Sequence, residues 1–114
     1  MEPTTNQQKV VIDHRGICYS QHAERRRQQR GINLEAVEAA LDYGDPVWAG
    51  GGCTAFFLGK RAVRSAARKG LGLETYEGTT VVYSACAVVV TVWRSDKAPR
   101  PGLKHYPQAT GRAA

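Results

Sequence analysis

The first third of the chain joins a short apolar run to a segment with helical spacing. Residues 10–12, "VVI", predict a leading β-strand. Ser20 suits an N-cap and Gly31 suits the position after a helix end, so the pattern predicts a first helix over residues 21–30. Ala23 is the only small apolar residue in this helix and is therefore expected to face the core.

A second helix follows directly and has a clearer apolar side. Asn33 is a suitable N-cap and Gly44 ends the segment. Glu35 lies in the first turn, where the helix dipole favours a negative charge. This helix is expected to pack on the core through an apolar stripe made of Leu34, Val37, Ala40 and Leu41.

The next segment predicts two strands and then a third helix. Residues 46–58, "PVWAGGGCTAFFL", are typical of two short strands on either side of the glycine turn 50–52. Residues 60–70, "KRAVRSAARKG", predict a helix that ends at the final glycine. The inward side of this helix is expected to hold Val63, Ala66 and Ala67.

Two β-branched segments close the folded unit. Residues 79–84, "TTVVYS", and 86–93, "CAVVVTVW", predict an antiparallel hairpin at the centre of a sheet. Helices come first in this pattern and strands mostly later, which indicates an α+β fold. The expected architecture is two N-terminal helices packed on a small antiparallel β-sheet, with a further short basic helix between strands.

A regular alternation in the last strand would separate its residues onto two faces. One face would carry Val88, Val90, Val92 and Arg94, and the other Val89, Thr91 and Trp93. The valine face is expected to lie under the helices. Arg94 would then approach the first helix, whereas Thr91 would do so only if a β-bulge intervened.

Length and composition fit one globular domain. The 114 residues are 42% hydrophobic and 23% charged. We expect a disordered N-terminal segment 1–9, a single domain 10–94 and a flexible basic tail 95–114 that contains Pro and Gly. The chain has no apolar run of about 18 residues and no signal-peptide pattern, which predicts a cytoplasmic protein that does not enter a membrane.

Charge points to an anionic partner, and the cysteines add no metal site. The formal net charge is +6 and the isoelectric point is near 9.6, which favours nucleic acid first and an acidic protein second. Cys18, Cys53 and Cys86 are widely spaced, so neither a disulfide framework nor a zinc site is indicated. No cofactor and no metal ion are expected.

The first helix carries a row of cations on one side. His22, Arg26 and Arg30, here called the cationic row, are each about 40° from the next around the helix. One interpretation is structural, with the arginines paired to acidic residues of the second helix and His22 bonded to a backbone carbonyl. The other is functional, because guanidinium groups match phosphate oxygens and imidazole transfers protons near neutral pH. The acidic residues in the structural interpretation are Glu35, Glu38 and Asp42.

The third helix offers a second group of cations. They are Lys60, Arg61, Arg64 and Arg68. A solvated outer face accounts for this spacing, and the alternative is a nucleic-acid-binding track along the phosphate backbone.

The segments "YSQHAERRRQQRGINLEAVEAAL" and "VVVTVWR" resemble the bacterial domain-of-unknown-function family 4258. That family has a His-Ala-x-x-Arg…Arg-Gly-Ile helix pair and a final Val-Val-Thr-Val-aromatic-Arg strand, and the match runs over about residues 18–94. The resemblance implies the small α+β fold of the RelE and ParE toxins and of the barnase, EndoU and colicin ribonucleases. The family's motif positions fall on His22, Arg26, Arg30, Gly31, Thr91 and Arg94. Arg27 departs from the pattern, because the family usually has an apolar residue there, often Met.

These observations predict a toxin-type, metal-independent endoribonuclease that cleaves RNA by attack of a ribose 2′-OH and so inhibits translation. His22 would act as acid or base, and Arg26, Arg30 and Arg94 would hold phosphate. A small acidic antitoxin or immunity protein is a possible partner. The alternatives are a noncatalytic nucleic-acid-binding module and a protein-interaction domain that binds an acidic partner.

Overall fold

Six strands form one mixed β-sheet in the order β1-β2-β6-β5-β4-β3. The structure is a computed structural model that describes residues 10–102. Neighbouring strands are antiparallel except β2 and β6, which are parallel with Cys18 opposite Val88. The strands are β1 Val10–Ile12, β2 Cys18–Ser20, β3 Asp45–Gly50, β4 Cys53–Phe57, β5 Thr79–Ser84 and β6 Val88–Arg94.

Three α-helices and one 3₁₀ turn connect these strands. The helices are α1 Gln21–Gln29, α2 Leu34–Tyr43 and α3 Lys60–Arg68, and the 3₁₀ turn is Glu74–Tyr76. The Ser20 hydroxyl accepts a hydrogen bond from the Ala23 N–H at 3.0 Å, and Asn33 Oδ1 accepts one from the Ala36 N–H at 2.9 Å. Both predicted N-caps are therefore confirmed.

The predicted leading strand over residues 10–12 is confirmed as β1, but the predicted architecture is wrong. A second strand, β2, also precedes α1, so the helices follow strands, and the sheet is mixed rather than antiparallel. Over residues 10–102 the fold is α+β, with three α-helices and a six-stranded sheet. The strand Cys18–Ser20 has only three residues, too few to show an alternating pattern, and its partner β6 lies at the other end of the folded unit. Such pairing depends on contacts that are distant in sequence.

The main core lies between the helices and one face of the sheet. Tyr19, Val81, Val89 and Val92 are fully buried there against residues of all three helices. A smaller cluster lies on the strands and contains Ala49, Ala55, Val82 and Trp93.

A β-bulge changes the faces of β6. Val82 lies opposite Thr91 but Tyr83 lies opposite Val89, so Val90 is the extra residue. Val89 and Val92 consequently both join the main core, and Val90 packs against the smaller cluster. The predicted valine face is therefore wrong at Val90, which packs away from the main core, and at Val89, which belongs to that core. Thr91 shares the side of Val82, because residues directly opposite each other in an antiparallel pair share a face.

The chain after β6 returns to the other edge of the sheet. The Gly102 N–H donates to the Trp48 carbonyl in β3 at 2.7 Å. The predicted N-terminal segment 1–9 and the tail beyond residue 102 lie outside the described residues. Over residues 10–102, no helix is long and apolar enough to cross a membrane.

Candidate functional site

Helix α1 presents the cationic row beside β6. Ala23 is the buried residue of α1, as predicted, and this orientation leaves His22 exposed. Ser20, at the N-cap, also donates its hydroxyl to the Val90 carbonyl at 3.3 Å. At the other end of the helix, Arg30 Nη1 donates to the Val92 carbonyl at 2.9 Å. Both ends of α1 are thus fixed to β6, and the row runs along this strand.

The arginine contacts differ from the predicted pairs between α1 and α2. Arg27 pairs with Glu24 of its own helix, Nη2 to Oε2 at 2.6 Å, and donates to the Ile32 carbonyl at 2.9 Å. Arg26 Nη1 donates to Gln29 Oε1 at 2.9 Å. The acidic residues of α2 take other partners: Glu35 accepts from Tyr76, and Glu38 and Asp42 face Arg15 of the β1–β2 turn.

The surroundings of His22 favour its neutral form. Partial burial lowers the pKa of His22, and the charges of Arg26, Arg25 and Arg30 lower it further. Among the described residues, no carboxylate forms an ion pair with this imidazole. His22 is therefore suited to accept a proton at neutral pH.

Two arginines from different elements meet at one open cavity. Arg30, Trp93, Arg94 and Ser95 line a cavity of about 400 Å³, which is called the Arg30–Arg94 cavity below. Partial removal of the guanidinium from water lowers the pKa of Arg30, and the charge of the neighbouring Arg26 lowers it further. Among the described residues the lining includes two guanidinium groups and no carboxylate, a charge distribution that suits an anion.

A second cavity adjoins the first at Arg94 and has a different charge balance. Its volume is about 510 Å³, and Lys60, Arg94, Glu77 and Asp96 are among its lining residues. The two carboxylates offset the two cations. Arg94 also donates to the Thr75 carbonyl, which fixes the guanidinium between the two cavities.

The cations of α3 lie on its outer side. Ala62, Val63 and Ala66 are the buried residues of this helix, so the predicted inward position of Ala67 is wrong. Arg61 lines a cavity of about 240 Å³ with Asp42 and Asp45. The four exposed cations are Lys60, Arg61, Arg64 and Arg68. Lys60 lines a cavity together with Arg94.

Thr91 is separated from the cationic row. Its side chain is fully buried, with 0% exposure, and its hydroxyl has no hydrogen-bond partner among the described residues. Because it lies on the side of Val82, it does not reach a phosphate bound at Arg30. Among the residues carried over from the family motif, Arg94 approaches Arg30 and Thr91 does not.

Sequence reasoning missed a third group, in which Asp13 and His14 of the β1–β2 turn approach Glu38 of α2. The adjacent Asp13-His14 pair is the only local signal, and its third member lies far along the chain. The group forms only where the β1–β2 turn packs against α2.

Comparison with protein-family models, curated proteins and solved structures finds no match for this chain. The resemblance to family 4258 therefore stays a prediction.

Proposed function

We propose that the protein binds RNA along the cationic row and cleaves it as a toxin-type endoribonuclease that uses no metal ion in the reaction. The observation that carries this proposal is the convergence of Arg30 and Arg94 on a cavity without a carboxylate. A phosphate bound in this cavity would place negative charge beside both guanidinium groups. Guanidinium groups suit this ligand, because their planar donors match phosphate oxygens.

The distances along α1 indicate that the two ends of the cationic row contact different phosphates. With a rise of about 1.5 Å per residue, His22 and Arg26 are about 6 Å apart along the axis, and His22 and Arg30 about 12 Å. One phosphate cannot contact both ends of the row. The attacked phosphate therefore lies at His22 and Arg26, and the Arg30–Arg94 cavity holds another phosphate of the same strand.

The proposed reaction follows from these positions. Neutral His22 accepts the proton of a ribose 2′-OH as its oxygen attacks the adjacent phosphorus, and the bond from phosphorus to the 5′-oxygen breaks. Arg26 stabilises the added negative charge on the phosphate. Water protonates the leaving oxygen. The products are a 2′,3′-cyclic phosphate and a 5′-hydroxyl.

One observation favours a noncatalytic RNA-binding module instead. His22 is exposed, and among residues 10–102 no carboxylate orients its ring. A binding module would keep the Arg30–Arg94 cavity and its dependence on salt without needing His22. A small acidic antitoxin or another acidic protein would compete with RNA for the same cations.

The deciding experiment measures cleavage, affinity and melting temperature for wild type and His22→Ala with a structured RNA in EDTA. Catalysis by His22 predicts a loss of cleavage of roughly 10²–10⁴-fold with affinity kept within a few-fold. The matched control is Arg25→Ala, which removes a cation from α1 outside the row. RNA that is bound but left intact by the wild type would establish the binding module, and absence of binding would exclude both functions.

A further inference from the structure

The β1–β2 turn brings two side chains to a carboxylate of α2. Asp13, His14 and Glu38, here called the turn cluster, each place one ligand-type atom within 4.8 Å of those of the other two. His14 Nε2 and Glu38 Oε2 lie 3.4 Å apart. The cluster is distinct from the cationic row and shares no residue with it.

One oxygen of the Glu38 carboxylate is buried without a hydrogen-bond donor among residues 10–102. The residue is only 9% exposed, yet its Oε2 atom is buried and accepts no hydrogen bond from any described residue. The contact with His14 is close enough for an ion pair, but it is not a hydrogen bond. The other oxygen, Oε1, lies 3.6 Å from the Arg15 guanidinium. A buried carboxylate oxygen without a donor is costly, and a cation ligand removes that cost.

Asp13 is held in place by groups around it. Its Oδ1 accepts from the N–H groups of Arg15 and Ile17, both at 2.9 Å, and its Oδ2 accepts from the Tyr19 hydroxyl at 3.3 Å. Hydrogen bonds of this kind orient the carboxylates of metal sites. Asp13 is thus oriented by hydrogen bonds to both of its oxygens, whereas Glu38 keeps one buried oxygen that accepts no hydrogen bond from the described residues.

The charge balance also favours a cation. Glu38 and Asp42 both lie against the guanidinium of Arg15, so two carboxylates share one cation. Asp13 accepts from the backbone N–H of Arg15. The side chain of His14 is 66% exposed, so its imidazole is accessible to an ion from solvent. The alternative arrangement, an ion pair between His14 and Glu38, requires no metal ion.

We propose that Asp13, His14 and Glu38 bind one divalent transition-metal ion, with Zn²⁺ as the best match. Two carboxylates and one imidazole are ligands that Zn²⁺ accepts at three positions, with water at the fourth. Mg²⁺ matches less well, because it prefers oxygen ligands alone. The ion fastens the β1–β2 turn to α2 and stabilises the folded chain, and it takes no part in the RNA chemistry proposed above.

The test is a calorimetric titration of the full chain with Zn²⁺ after treatment with EDTA. We expect one equivalent to bind and to raise the melting temperature. His14→Ala and Glu38→Gln should each lower the affinity at least tenfold, and the exposure of His14 makes the first variant safe for folding. The matched controls are His22→Ala and His105→Ala, which remove the other two histidines and should change the affinity less than twofold.

Two results would overturn the proposal. One is a wild-type protein that binds no stoichiometric Zn²⁺, which would mean that a His14–Glu38 ion pair completes the cluster. The other is unchanged affinity in His14→Ala, and thiolate-to-metal absorption on Co²⁺ substitution would then assign binding to the cysteines. Neither result depends on RNA cleavage, so this proposal and the proposed function fail separately.

Discussion

The guanidinium of Arg30 donates to the Val92 carbonyl at 2.9 Å, and this bond anchors the C-terminal end of α1 on β6. One Nη atom is used in this contact, and the remaining donors of the fork stay available at the Arg30–Arg94 cavity. A backbone anchor and an anion-binding group are thus combined in one side chain. This bond and the Ser20 cap at the other end of α1 hold the cationic row beside β6.

Salt dependence tests the arginines at the cavity. If Arg26, Arg30, Arg94 and part of α3 neutralise four to five phosphates, the slope of log K against log salt should be near −3, from about −0.7 per phosphate of single-stranded RNA. Arg30→Ala and Arg94→Ala should each make the slope shallower by about 0.7. Filter-binding titrations at several salt concentrations give these values. Arg25→Ala serves as the control, and an equal change in that variant would show that general charge rather than the cavity determines binding.

The low pKa of His22 predicts a dependence of stability on pH. Burial and the nearby arginines favour neutral His22 in the folded state, so the unfolded chain binds the extra proton more readily. As the pH falls through about 6.5, the ordinary pKa of histidine, the wild type should lose stability relative to His22→Ala. Urea unfolding of both proteins between pH 5 and 8 measures the difference, and NMR titration gives the pKa directly. A His22 pKa above the ordinary value would contradict this prediction.

The half-buried pair Arg27–Glu24 predicts coupled mutations. Arg27→Met removes the partner of Glu24 and of the Ile32 carbonyl, and we expect a loss of about 1–3 kcal/mol in the free energy of unfolding. The double variant Glu24→Gln/Arg27→Met should recover part of that loss, because no unpaired carboxylate is left. Denaturant unfolding of the single and double variants gives the coupling. Additive effects would show that the two side chains do not interact in solution.

The buried hydroxyl of Thr91 predicts a stabilising substitution. Thr91→Val replaces an unpartnered hydroxyl with a methyl group of similar size, and we expect a gain of about 1 kcal/mol in the free energy of unfolding. The rate of RNA cleavage should not change, since Thr91 does not reach the row. Thr91→Ala is the control that leaves a cavity and should destabilise the protein. Loss of cleavage in a stable Thr91→Val protein would show that Thr91 takes part in the reaction.

Features that depend on nearby residues could be predicted from the sequence. The Ser20 and Asn33 caps each bond an N–H three residues away, and Ala23 faces the core because α1 offers no other apolar side chain. The sequence also indicated that Arg94 would approach the first helix. These features were accessible because a cap or a helix face is determined by its own few neighbours.

Features that depend on distant partners were decided by the tertiary structure. The parallel pairing of Cys18 with Val88 and the bulge at Val90 arise where two separate strands meet, and neither leaves a local pattern. The turn cluster likewise exists only because the β1–β2 turn packs against Glu38. By itself the sequence determined the helices, their caps and the excess of cations. The sheet order and the groups of side chains that meet across it follow from long-range packing, whose free energy no short segment contains.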